Sequence, residues 1–206
     1  MPFPTPASPF HLLPISKVTL PKTPLTSAAL TFLTENTRPS TVNHCLRSAA
    51  FALLLTPRLP QLASIQDTLD TELIVVSVML HDMGWATNPE LLSTDKRFEV
   101  DGAEIARGFV TKETGWDKHK LQLLWDAIAL HTTPSIAMFK EAEVVAAHLG
   151  ITADFLGAYL GVEEGGGMSF LFFVFRLCCG WGGKERKKKK YLGGLTVDGI
   201  GAGKDW

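Results

Sequence analysis

Apolar positions along the chain recur at helical spacing in six stretches, separated by proline, glycine and polar runs. A first short helix is expected over 26–35, where Ala28, Leu30, Phe32 and Leu33 are apolar. The second follows Pro39, with Ser40 or Thr41 as its cap, and carries the stripe Val42, Cys45, Leu46, Ala49, Ala50 and Leu53. Pro57 and Pro60 end it. Asp70 or Thr71 opens the third, with Glu72 favourably placed in its first turn. Its residues 73–80 are apolar all round except at Ser77, the pattern of a central element enclosed by others. So short a run also fits a buried strand, but no period-two alternation elsewhere supplies a partner strand. A helix is therefore expected.

A polar loop should occupy 86–98, followed by a helix over 101–112 with Ile105, Phe109 and Val110 inward and Gly115 beyond its end. From Asp117, the residues Leu121, Leu124, Trp125 and Ile128 repeat at helical spacing as far as His131. The run Thr132-Thr133-Pro134-Ser135 interrupts the pattern, and a last helix spans 141 to about 159, with a break at Gly150 left open. The fold class expected is all-α, a bundle-like domain over 25–160.

Both ends differ from this middle. Residues 1–24 hold prolines at 2, 4, 6, 9, 14, 21 and 24, which predicts an extended arm. Residues 161–206 mix Gly-rich, Phe-rich and Lys-rich pieces without helical or strand period, so an irregular, disordered tail is expected there. Its run Lys187–Lys190 is a basic cluster of the kind that binds nucleic acid, but a charge run is more often just solvated, and no nucleic-acid partner is expected. The formal net charge of −1 gives no broad attraction to nucleic acid or anionic lipid. Three cysteines, two of them adjacent, make no disulfide framework, and a reducing, cytoplasmic setting is the simpler expectation. The apolar stretch 170–179 is interrupted by Arg176 and falls short of the roughly 20 residues a membrane span requires.

The chemistry concentrates on a few residues. His81-Asp82 closes the buried run and is released at once into Met83-Gly84-Trp85. Neighbours on a helix point about 100° apart, so this pair can address one ion only where the helix is ending. Asn43-His44 lies upstream, and His131 and Asp154 lie downstream, each on a separate helical stretch. Imidazole nitrogen and carboxylate oxygen suit zinc and iron. Taken singly, each has a plainer role: His44 as a hydrogen-bonded core histidine, Asp82 as a turn cap, Asp154 as a surface carboxylate, His131 as a favourable charge at a helix end. His11, His119 and His148 carry no motif and are expected to be structural or exposed, and Trp85 and Trp125 are core-type aromatics unless they line a pocket.

The order of five blocks resembles the HD-domain superfamily of metal-dependent enzymes, and within it the fungal cyanamide-hydratase-like proteins. The blocks are 38–44 (RPSTVNH), 80–84 (LHDMG), 97–102 (RFEVDG), 129–132 (ALHT) and 150–155 (GITADF). The resemblance covers about residues 25–160 and departs from the family after Asp154, where further helices would close the domain. It implies an all-helical fold and a divalent ion, zinc first and iron second, held by His44, His81, Asp82 and Asp154. It further implies catalytic roles for Asp82 and for His131, the latter as proton donor or substrate hydrogen-bond partner, and a substrate pocket with Asn43, Phe98, Glu99 and Thr132. A single ion lowers the pKa of bound water from 15.7 towards about 7, which suits hydration of a small nitrile such as cyanamide to urea. A phosphohydrolase is the alternative, with Arg47, Lys96 and Arg97 as the basic residues near the motifs, and an inactive truncated homologue is a third. The partner expected is a small-molecule substrate, with no membrane; a homo-oligomer is left open.

Overall fold

The computed structural model describes residues 18–157. Among them there are helices and turns and no strand. Six helices of ten residues or more carry the fold: α1 (Pro24–Asn36), α2 (Pro39–Leu55), α4 (Thr71–Leu80), α5 (Phe98–Glu113), α6 (Lys118–Ala129) and α8 (Ala142–Gly157). Two four-residue helices, α3 (Pro60–Ala63) and α7 (Pro134–Ala137), and four short 3-10 turns connect them. The all-α expectation holds. Most of the arm and the whole of the 161–206 tail lie outside the described residues.

Helix starts follow local chemistry. Thr23 caps α1 with a reciprocal pair of hydrogen bonds to Thr26, so the helix starts two residues earlier than expected, at Pro24. Asp70 caps α4 by accepting from the Leu73 backbone N–H at 2.9 Å, and Asp117 caps α6 in the same way through Lys120. The second helix differs from expectation: Pro39 takes its first turn and Arg38 the capping position, ahead of Ser40 and Thr41. Proline has no N–H to leave unsatisfied at a helix start, so it begins the helix instead of preceding it. Helix α5 also starts early, at Phe98. Its first turn buries the polar Glu99 and Asp101, which hid it from hydrophobic periodicity, and Asp101 holds the preceding loop by accepting from the N–H and hydroxyl of Ser93.

Every residue of α4 from Leu73 to Leu80 is buried, and α4 packs against α1, α2, α5, α6 and α8. A helix apolar on all sides can only be stable in such a position. The most extensive helix pairing is α2 with α8. Its close approach depends on Gly150: a Cβ there would lie 2.5 Å from the Ala52 Cβ and 2.7 Å from the Ala52 Cα. Gly150 is therefore a crossing point inside an unbroken α8, not a break in it.

Candidate metal centre

Helix α4 stops at Leu80, and His81 and Asp82 follow in the turn before the 3-10 segment Met83–Trp85. The last carbonyls of a helix have no N–H four residues on to bond. One of them, the Val78 oxygen, takes the Nδ1–H of His81 at 2.7 Å. The end of α6 repeats the device: the Ile128 oxygen takes the Nδ1–H of His131 at 2.6 Å. A carbonyl can only accept, so each bond fixes the proton on Nδ1 and leaves a bare lone pair on Nε2. His44, on α2, donates its Nδ1–H to Asp154 Oδ2 at 2.7 Å, which likewise turns its Nε2 inward as an acceptor.

The result is a cluster of lone pairs. His81 Nε2 stands 3.2 Å from His44 Nε2, and Asp82 brings Oδ1 to 3.4 Å from His81 Nε2 and Oδ2 to 3.8 Å from His44 Nε2. Acceptors this close repel one another unless a proton or a cation lies among them. Ligands about 2.1 Å from one centre stand roughly 3.4 Å apart in a tetrahedral set, so the observed spacings fit a single ion. Two imidazoles and one carboxylate suit zinc or ferrous iron and leave coordination positions open.

Asp154 is placed differently from the expectation of a fourth ligand. The residues whose donor atoms come together around one point are His44, His81 and Asp82. Asp154 stands behind His44, and both its oxygens accept from Arg47, at 2.8 and 2.9 Å. Burial works against its ionisation, but the bonds from Arg47 and His44 outweigh that and hold its carboxyl below the ordinary value. The carboxylate thereby orients His44.

Burial drives the other shifts. His81 is pushed down to about 3 despite its bond to Val78, and His131 to about 4 by burial and the neighbouring His81. Both are neutral at pH 7. In that state a ring with its N–H tied to Ile128 offers Nε2 as a proton acceptor, so any proton it donates must first be taken up there. Asp82 is raised, by burial first, although His44 and His131 oppose it.

A cavity of about 580 Å³ opens beside this cluster. Its wall includes His44, His81, Asp82, Phe98, His131 and Thr132, as the sequence suggested, and Trp85 stands at its mouth with its ring 4.8 Å from that of Phe98. Asn43 and Glu99 do not line it. Asn43 is exposed on α2, next to His44 but turned away. Glu99 is buried beneath the wall, where it accepts from Thr132 Oγ1 at 2.6 Å and from Arg97. Burial would raise Glu99, but these bonds and its own backbone N–H hold it at about 2. Trp125 does not line this cavity either, and its Nε1–H donates to Glu104 at 3.1 Å.

Five wall residues were missed: Pro134, His148, Ile151, Thr152 and Phe155. The last four occupy positions i, i+3, i+4 and i+7 of α8 and so form one helical face, a signal that was present in the sequence.

Two glycines join the α4 turn to α5. A Cβ on Gly84 would lie 1.9 Å from the Phe98 oxygen, and one on Gly102 would lie 2.9 Å from the His81 oxygen. Close approach of the Phe98 carbonyl is why glycine is required at position 84.

No curated protein and no solved structure matches this chain. The model of the HD domain family matches residues 41–157, more than half of the chain, and the matched span starts three residues before His44 and ends three after Asp154. The paired His81-Asp82 at the end of a buried helix, joined by a histidine from α2, is thus the metal-binding pattern of a protein that belongs to the HD domain family.

Proposed function

We propose that this protein is a metal-dependent hydratase that adds water to a small nitrile-type compound, converting cyanamide to urea. The observation that carries the reading is the cavity wall. Among the described residues it presents apolar groups (Trp85, Phe98, Pro134, Ile151, Phe155) and uncharged polar groups beside the His-Asp cluster, and no Lys or Arg. Phosphate esters require cationic clamps. Of the basic residues near the motifs, Arg47 and Arg97 are bonded to Asp154 and Glu99, and neither they nor Lys96 line the cavity. A compact neutral substrate suits such a wall.

His44, His81 and Asp82 would hold the ion, with Asp154 and Arg47 orienting His44 from behind. When bound, a divalent ion acidifies water and polarises a nitrile. Hydration forms a bond from the water oxygen to the nitrile carbon, moves one water proton to the nitrile nitrogen, and ends in the urea tautomer. His131 accepts a proton at Nε2 and returns it to nitrogen, so it serves as base first and as acid second. Phe98 and Trp85 exclude bulk water from one side of the cavity.

Urea release from cyanamide by the zinc- or iron-loaded full-length protein tests the reading. His131→Ala should keep the ion and slow hydration by about 10²-fold or more. Loaded protein that hydrolyses nucleotides and leaves cyanamide untouched would replace the hydratase with a phosphohydrolase. Turnover of neither would point to an inactive homologue.

A further inference from the structure

His148 is outside the metal cluster and has no part in the steps above, yet it is 2% exposed and lines the cavity. Its Nδ1–H donates to the His131 backbone oxygen at 2.8 Å, so the proton is fixed on Nδ1. Its Nε2 is buried and has no hydrogen-bond partner among the described residues. A buried acceptor without a partner carries a desolvation penalty that structures rarely retain without cause. Thr132 adds to this. Its hydroxyl proton is given to Glu99, which leaves the oxygen lone pairs as its remaining hydrogen-bonding capacity on the cavity wall. His131 Nε2 makes a third acceptor.

We propose that His148 is a substrate-anchoring residue whose Nε2 accepts a hydrogen bond from an N–H of the ligand, so that the cavity selects small N–H donors over acceptor-only molecules of the same size. The inference rests on the reading of this cavity as the substrate site. Nitriles without N–H groups then bind poorly although their reacting carbon is the same, and the amino group of cyanamide is the part recognised.

Two substitutions separate anchoring from mere support. Asparagine at position 148 can keep a donor near Nδ1 for the His131 oxygen but removes the acceptor from the cavity; glutamine restores a polar atom near Nε2 and gives up the bond to His131. Nitrogen NMR of the histidine rings in zinc-loaded full-length protein, titrated with formamide and with acetonitrile, reads the site independently of turnover. The expected result is an Nε2 of His148 that carries no proton in the free protein and shifts with formamide but not with acetonitrile. Formamide affinity should fall about fivefold in His148→Asn and be retained in His148→Gln, with unchanged zinc content in both. A protonated Nε2 in the free protein, an Nε2 unmoved by formamide, or retained affinity in the Asn variant with loss in the Gln variant overturns the proposal. So does loss of an ion from the Asn variant, which would make His148 a ligand. If Nε2 responds to formamide while cyanamide is not hydrated, the hydratase reading falls and this one stands. An unchanged cyanamide KM in the Asn variant of an active enzyme has the opposite meaning.

Discussion

At the scale of single residues, the metal centre separates side chains that should touch an ion from those that act through them. His81→Ala removes one of the three ligands, and the purified variant should hold little of the roughly one ion per chain expected of the wild type, by elemental analysis. Asp154→Asn is expected to behave differently. It keeps a polar contact to His44 but weakens the bonds to Arg47, so metal affinity should fall by about 10- to 100-fold without being abolished. Complete loss of metal in that variant would put the Asp154 oxygens in the coordination shell. Glu99 gives a prediction about pH. Its folded value near 2 lies below the ordinary 4.5, so the unfolded chain binds the proton first as pH falls. Its contribution to stability is whole above about 4.5 and is lost as pH drops towards 2. The stability gap between wild type and Glu99→Gln, from urea unfolding at a series of pH values, should therefore narrow across that window.

Single residues also set the limit of what the sequence disclosed about the site. His81-Asp82 was legible because an adjacent ligand pair at the end of an apolar run has few other uses. His44 and His131 followed from their order relative to it. His148 was not legible as a wall residue, because attention to motif blocks left it without one. The order of the blocks could not say that Asp154 faces the far nitrogen of His44, since that depends on where Arg47 on the same helix turn reaches. The neutral state of His131 was hidden as well, being set by its burial and by His81 beside it, against a main-chain bond at the end of α6 that favours the charged ring.

Between elements, the contacts that matter are made where side chains are missing. Replacing Gly84 by alanine drives a methyl into the Phe98 carbonyl, and the backbone of α5 or of the metal turn must move. A loss of about 1–3 kcal/mol is expected from denaturant unfolding, together with weaker metal binding. Gly108 is the matched control. It lies exposed on the same helix α5, nothing is within 4 Å of an added Cβ, and alanine there should stabilise by about 0.5–1 kcal/mol through helix propensity alone. Elements with a strong apolar period, such as α4 and α6, were legible to within a residue or two. The first turn of α5 was not, because Glu99 and Asp101 are polar residues buried for hydrogen bonding. The continuity of α8 was also uncertain in the sequence, as glycine inside a helical pattern reads equally as a stop or as a crossing.

For the molecule as a whole, α2 and the end of α4 contribute to one centre, and α8 supports it through Asp154. An ion there cross-links parts of the chain that are far apart in sequence. Anything that binds the folded state alone stabilises it by mass action, by about 4 kcal/mol at a thousandfold excess over Kd. Chelation should accordingly lower the melting temperature of the full-length protein, and His81→Ala should melt at the same temperature with or without chelator.

The anchoring of His81 and His131 to main-chain oxygens bears on how this centre tolerates genetic change. In many proteins a carboxylate side chain holds a ligand histidine in its working tautomer, and a single codon change can delete it. Here the holding atom at two of the rings belongs to the peptide backbone, which every substitution at Val78 or Ile128 would preserve. The proton pattern at those rings is inherited by any descendant that still terminates its helices at the same places. The weak point for inheritance is the third ring, whose orientation depends on the side chain of Asp154, and drift in this lineage should show first there.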